Sequence, residues 1–237
     1  MAKPFHFKQF TVHQDRCAMK IGTDGVLLGA WASLEHKPGS ILDIGAGSGV
    51  IALQLAQRSN AHTIDGVEID HDAYEQCSEN FENSPWGDRL FCYHASIQEF
   101  ASEIDESYDL IISNPPFYVE DYRSGDPARD QARFNDAMPF QHLLVSAHHL
   151  LSPEGRFAVI IPKKEETALL EMAQSIGLFP QRICRVQGAP ASEEKRSLIE
   201  FSLTKTIPSV TNLIIETARH TYTEAYVQLV GDFYLKM

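Results

Sequence analysis

The nonapeptide Ile41-Leu42-Asp43-Ile44-Gly45-Ala46-Gly47-Ser48-Gly49 joins a short apolar strand to a turn of alternating glycines, and the architecture of the chain hangs on that junction. Val50 to Ala56 is then nearly all apolar, and the pattern continues to Arg58, as in a helix buried against a sheet. Glycine at alternate positions lets the backbone turn tightly and lets a ligand approach it closely. The stretch predicts a strand at 41–44, a helix at 49–58 and a ligand over the helix amino terminus.

Spacing separates this turn from other nucleotide-binding turns. The third glycine comes two residues after the second, where the dinucleotide fingerprint has it three after, and no Gly-Lys-Ser/Thr follows to bind phosphate. Asp43 at the strand end would repel a pyrophosphate but suits a cation. About 20 residues on, Ile64-Asp65-Gly66-Val67-Glu68 is a second strand ending in an acid, placed to accept hydrogen bonds from ribose hydroxyls.

Beyond the strand at 62–68, the pattern predicts a helix at 71–83, a strand at 90–94, a short helix near 96–102 and a strand at 108–113. Such alternation calls for a mostly parallel sheet with helices on both faces. Right-handed crossovers put the strand carboxyl ends on one rim, so Asp43, Glu68, Ser96 and Asn114 converge there. The strand Asp109-Leu110-Ile111-Ile112 stops abruptly at Ser113-Asn114-Pro115-Pro116-Phe117. Each proline lacks an N–H for the ladder, and each residue before a proline is pushed out of the helical region. What remains is an Asn with donor and acceptor, carbonyls freed from pairing and the aromatic face of Phe117. That set is a receptor for a flat ring bearing an amino group. Asn-Pro-Pro taken alone also reads as a plain turn; the glycine turn upstream gives it weight.

Together these residues resemble the class I methyltransferases that use S-adenosylmethionine. The resemblance implies a Rossmann-like, seven-stranded α/β sheet with helices on both faces. It implies that Asp43, Gly45, Ala46, Gly47 and Gly49 cradle the cofactor, that Glu68 holds its ribose, and that Asn114, Pro115, Pro116 and Phe117 form the catalytic tetrapeptide of nitrogen-methylating enzymes. Met19-Lys20-Ile21-Gly22-Thr23-Asp24-Gly25-Val26-Leu27-Leu28-Gly29-Ala30-Trp31 is similar to the entry segment of the bacterial valine-tRNA adenine-N6 methyltransferases, which modify the adenine just 3′ of the anticodon. The implied partner is a tRNA, valine tRNA in particular. In that family the segment closes over the cofactor, which makes Lys20, Thr23 and Asp24 candidates; Thr23 and Asp24 fit equally well as caps of a helix running to about Leu34. Ser96 stands where the family often has an Asp that accepts a bond from the cofactor's adenine amino group. Its hydroxyl can substitute, and a helix N-cap is the other reading.

The flanks complete a single domain over 1–237, with an N-terminal ribbon and helix (1–35), a core (40–205) and a tail (206–237). Phe5 to Val12 alternates and is expected to pair with Cys17 to Ile21 in a two-stranded ribbon. Tyr118 to Ala137 reads as a loop over the site, in which Arg123, Arg129 and Arg133 meet phosphates or pair with the five acids around them. Helix 140–151, a turn at Ser152-Pro153-Glu154-Gly155, strand 156–161, a helix from Pro162 to Ser175 and antiparallel strands at 178–187 and 196–204 follow. The stretch from Leu213 to Met237 has room for one more paired strand, an optional one, followed by a helix with Ala225, Leu229 and Val230.

Composition narrows the function. No apolar run approaches the ~20 residues of a membrane span and no signal-peptide core follows Met1, so a cytoplasmic protein is expected, with a monomer favoured. Cys17, Cys77, Cys92 and Cys184 form no C-x-x-C and the ten histidines show no ligand spacing, so no metal is expected. A net charge of -12 counts against a nucleic-acid partner without excluding one; Lys3, Lys8, Arg16 and Lys20 against Asp15 make the one basic stretch. Rival readings are glutamine-N5 methylation of a release factor, guanine-N2 methylation of ribosomal RNA, and a cofactor-binding module without turnover. The first usually needs a helical amino-terminal domain and the second a His where Tyr118 stands.

Overall fold

The computed structural model describes residues 3–116 and 140–237. A hairpin of β1 (Phe5–His6) and β2 (Thr11–Val12) leads into helix α1 (Thr23–Trp31). Strand and helix then alternate through β3 (Ser40–Ile44), α2 (Val50–Arg58), β4 (Thr63–Glu68), α3 (His71–Glu82), β5 (Leu90–His94), α4 (Ile97–Glu103) and β6 (Tyr108–Ser113). From Phe140 the chain continues through α5 (Phe140–Leu150), β7 (Leu151–Pro162), a single 3-10 turn (Lys163–Glu165), α6 (Glu166–Ser175), β8 (Phe179–Gln187) and β9 (Glu194–Ser202). The tail adds β10 (Ser209–Ile214), β11 (Glu216–Ala218), β12 (Thr221–Tyr222) and α7 (Glu224–Val230).

One sheet of eight strands, in the order β10-β8-β9-β7-β6-β3-β4-β5, carries the core. β5, β4, β3, β6 and β7 run parallel, β9 is antiparallel to both β7 and β8, and β10 lies parallel to β8. Along each parallel strand the apolar side chains alternate between two buried layers. Leu110, Ile112, Ala158 and Ile160 meet α1 and α2 on one face, while Leu42, Ile111, Phe157 and Val159 meet α4, α5 and α6 on the other. Both faces are covered, so these strands are apolar throughout rather than half polar. The strand order reverses between β3 and β6, where an α/β sheet opens a crevice at its carboxyl edge. At that point Ile44 pairs with Ser113, and the Ser113 hydroxyl donates to the Ile44 carbonyl at 2.8 Å.

Several boundaries differ from those read in the sequence. The sheet has eight strands rather than seven, because Ser209 to Ile214 pairs with Arg182 to Gln187 of β8; this strand begins four residues before the expected tail strand, and the expected helix is α7. The ribbon closes on itself within 5–12, through a turn in which the Phe7 N–H donates to the Phe10 carbonyl and the two rings stack at 4.6 Å. Cys17 to Ile21 is therefore not its second strand. Ser152 to Gly155 is no turn but an irregularity inside β7: Tyr108 pairs with Leu151 and Leu110 already with Arg156, so the extra residues bulge out of the ladder. Helix α1 stops at Trp31, short of Leu34, and its N-cap is Gly22 without a side-chain bond, so neither Thr23 nor Asp24 caps it.

Candidate active site

The glycine turn hangs from β4. Gly45 and Ala46 both donate to the Val67 carbonyl, at 2.8 and 3.1 Å, and Gly47 donates to Glu68 Oε2 at 2.8 Å. Glu68 Oε1 accepts from the Asp70 N–H at 2.9 Å. One carboxylate thus ties the turn to the start of the next loop, and each of its oxygens keeps a lone pair for a ribose hydroxyl. Gly45, Gly47 and Gly49 all have positive φ, at 73°, 56° and 78°. Nothing stands within 4 Å of where a side chain would project at Gly45 or Gly47, so the turn presents bare backbone to the crevice. At Gly49 a methyl group would strike Phe81 Cε1 at 2.5 Å and Cys77 Sγ at 2.9 Å.

Asp43 lies fully buried beneath this turn. Helix α2 begins at Gly49, which has no side chain to cap it, and Asp43 Oδ2 accepts the Ala52 N–H at 3.2 Å instead. Burial raises the Asp43 carboxyl from 3.8 to about 7; the Ala52 N–H pulls it down and Glu68 pushes it further up. Its Oδ1 has no hydrogen-bond partner among the described residues. A buried acid with one unsatisfied oxygen, under a bare glycine turn beside an acid with spare lone pairs, fits a ligand that is cationic at one end and a ribose at the other.

Sequence reading missed the residue that locks this half of the site. Asn80, buried on α3, accepts from the His13 N–H at 2.9 Å and donates to the carbonyls of His13 at 2.8 Å and Ser48 at 2.9 Å. It joins the segment before α1 to the glycine turn with every bond satisfied. The available signal was a polar residue at core spacing, since Ala73, Cys77, Asn80 and Phe81 share the buried face of α3. Lys20 serves the same segment, its ammonium donating to the Gln14 and Cys17 carbonyls at 2.6 Å each. Ser96 caps α4, accepting the Glu99 N–H at 3.2 Å in a full capping box. Burial pushes the Cys17 thiol up to about 11 and the Cys77 thiol well above its usual range, so neither offers a thiolate at neutral pH.

The other half begins at Asn114 and Pro115, which open into a cavity of about 700 Å³. Gly22, Thr23, Asp24 and Gly25 form one wall; Pro162 to Lys164 and Glu194 to Arg196 form the other. Asp24 pairs with Arg196 at 2.7 Å and fastens α1 to β9. A side chain at Gly25 would stand 3.6 Å from Val50 Cγ1 and 3.8 Å from Asn114 Nδ2. The bare start of α1 thus lies close to both the glycine turn's helix and the Asn114 amide. Phe117 and the loop expected at 118–137 lie outside the described residues.

The chain matches the model of the methyltransferase small domain over residues 25–181. It is 60% identical over 237 residues to a Christiangramia forsetii protein, with 99% of each covered, and 58% identical over 234 residues to one from Flavobacterium johnsoniae, covering 98% of this chain and all of that one. Both relatives bear the name tRNA1(Val) (adenine(37)-N6)-methyltransferase. The chain belongs to that methyltransferase family. Among solved structures, a predicted O-methyltransferase from Agrobacterium tumefaciens overlays with a TM-score of 0.68 at 19% identity, over 89% of this chain and 96% of that one, a likeness of fold. Like its family, then, the chain is a class I α/β methyltransferase. Among the described residues no helix is long and apolar enough to cross a membrane, and no three His, Cys, Asp or Glu side chains are grouped to hold a metal ion.

Proposed function

We propose that this enzyme transfers a methyl group to N6 of adenine 37 in a valine tRNA, with S-adenosylmethionine held at the glycine turn. The observation that carries the reading is that Gly25 has both the Asn114 amide and the amino-terminal end of α2 within 4 Å of where its side chain would project; the names of the full-length relatives support the choice of substrate. S-adenosylmethionine supplies an electrophilic methyl on a sulfonium. Glu68 would accept from its ribose hydroxyls, Asp43 would face its cationic end, and Gly45, Ala46, Gly47 and Gly49 would give it close approach. Lys20, Thr23 and Asp24 keep the covering segment closed, and Ser96 stands at the adenine edge.

On the acceptor side, Asn114 Oδ1 and the Pro115 carbonyl take the two amino protons of adenine as hydrogen bonds. The amino lone pair is normally delocalised into the ring; held this way, it turns out of the ring plane and toward the methyl group. Pro116 keeps the next peptide out of the ladder and Phe117 is assigned the face of the base, where stacking contributes ~1 to 3 kcal/mol. No strong base is required, because the nitrogen sheds its proton after the methyl arrives. An anticodon-loop base enters a pocket at lower cost than a base in a duplex. The test is labelled methyl transfer into unmodified valine tRNA, bulk RNA and a release factor, followed by nucleoside and amino-acid analysis. N6-methyladenosine confined to the tRNA is expected; label in glutamine would overturn the substrate.

A further inference from the structure

We propose that Lys164 and Lys195 grip the phosphates flanking the target nucleotide, forming the RNA-backbone seat of this enzyme. The proposal rests on the tRNA reading above and adds the surface that docks it. The chain carries a net charge of -12, yet among the described residues five basic side chains line the Asn114 cavity against Asp24 and Glu194. They come from segments far apart in sequence. Topology brings them together: β9 runs antiparallel to β7, so Pro162 pairs with Arg196, and Lys195, next to Arg196, and Lys164, two residues beyond Pro162 in the 3-10 turn, line the same cavity as Asn114. At about 4.8 Å per strand, β7 and β9 lie roughly 5 and 10 Å to the side of β6; Ser113 pairs with Val159, so Pro162 and the lysines beyond it stand further out along the rim, on the side where the backbone of an inserted nucleotide would lie.

Three of the five cations already have partners. Arg196 is held by Asp24 at 2.7 Å, Lys163 by the buried Glu166 at 3.5 Å, and Lys20 by two carbonyls at 2.6 Å. Lys195 is exposed and makes no ion pair among the described residues. Lys164 has a side chain 61% exposed, and its pairing with Glu165 at 3.8 Å is a surface contact of the kind that holds little. These two are therefore available to an incoming polyanion, which a lysine meets as a point charge. Phosphate contacts fix the register of a nucleic acid while the pocket selects the base.

The experiment measures steady-state methylation of a valine tRNA transcript between 50 and 200 mM salt. The wild type is compared with Lys164→Glu, Lys195→Glu, the double variant, the corresponding Lys→Arg variants and Lys205→Glu, an exposed control beyond the far end of β9 that changes net charge equally. The double charge reversal is expected to raise KM for tRNA about tenfold or more with kcat within about twofold, and to flatten the slope of log kcat/KM against log salt by about 1 per phosphate lost. Cofactor affinity and melting temperature should match the wild type, and the Arg variants should keep the slope. If Lys164→Glu and Lys195→Glu behave like Lys205→Glu, the seat is elsewhere while the activity stands. If the wild type transfers no methyl to the tRNA, the substrate reading falls and the seat with it.

Discussion

The two halves of this rim are built on opposite plans. On the β3–β4 side the side chains that shape the crevice are each fastened inward by at least one bond: Glu68 to Gly47 and Asp70, Asp43 through one oxygen to Ala52, Asn80 to His13 and Ser48. On the β6–β7–β9 side the Asn114 amide has no such bond among the described residues, and two lysines stand in solvent. The difference follows from what each half meets. A small cofactor rewards a site ordered before binding, because the protein then loses little freedom on association. On the reading proposed above, a large RNA is met by long side chains that adapt, with one amide assigned to the place of the chemistry.

The largest break in this contrast is Asn114→Ala. If the first half binds and the second half reacts, transfer in a single turnover should fall about 10³-fold, as when one aligned polar group is removed from a transition state. Cofactor affinity by calorimetry should stay within about threefold. A parallel loss of cofactor affinity would show that the two halves are not separable.

Asp43 tests the prearranged half through pH. Its carboxyl is raised from 3.8 to about 7 by burial, so the folded state holds the proton more tightly than the unfolded chain. The stability this contributes is complete below pH 4 and is lost as pH rises through about 7. At about 1.4 kcal/mol per unit, the unliganded wild type should lose about 3 kcal/mol between pH 5 and pH 8, and Asp43→Asn should not. Denaturant titrations of both proteins at the two pH values measure this. Equal slopes for the two would mean that Asp43 titrates as an ordinary carboxylate. A cationic ligand favours the ionised acid, so S-adenosylmethionine should stabilise the wild type more at pH 8 than at pH 5.

Gly49→Ala probes the same half by packing. A left-handed φ of 78° and a methyl group 2.5 Å from Phe81 should cost about 2 kcal/mol. Phe81→Leu should recover part of that in the double variant, with a coupling of about 1 kcal/mol. Additive losses would place the strain in the backbone alone.

These contrasts also explain what was legible in the sequence. The glycine turn, the acid ending β4 and Asn114-Pro115 are local patterns in which the chain alone dictates the geometry, and each lies where its strand end predicts. The paired lysines and the Asn80 clamp were not legible, because strand pairing and helix packing join segments that no local pattern connects. β10 was visible only as an optional tail strand, since its partner β8 lies over 20 residues away. The ribbon was misread because Phe7 and Phe10 turn the chain earlier than its alternation implies.

At Ser96, which follows β5 at the edge of the sheet, the expected effect is smallest. Its hydroxyl accepts the Glu99 N–H and donates to Glu99 Oε2 at 2.8 Å, and the Ser96 N–H and hydroxyl hold the Glu99 carboxylate below its usual range. A residue so committed to a helix start has little left for a ligand. If capping is its whole role, Ser96→Ala should cost about 1 kcal/mol of stability and leave cofactor affinity within about twofold, whereas Ser96→Asp, a cap of similar strength, should restore stability. If Ser96 also holds the adenine edge, Ser96→Ala must weaken the cofactor by more than its loss of stability explains, and Ser96→Asp must tighten it beyond wild type. Calorimetric titration of S-adenosylmethionine into the three proteins, beside their melting temperatures, separates the two: a cap moves only the melting temperature, and a ligand contact moves both.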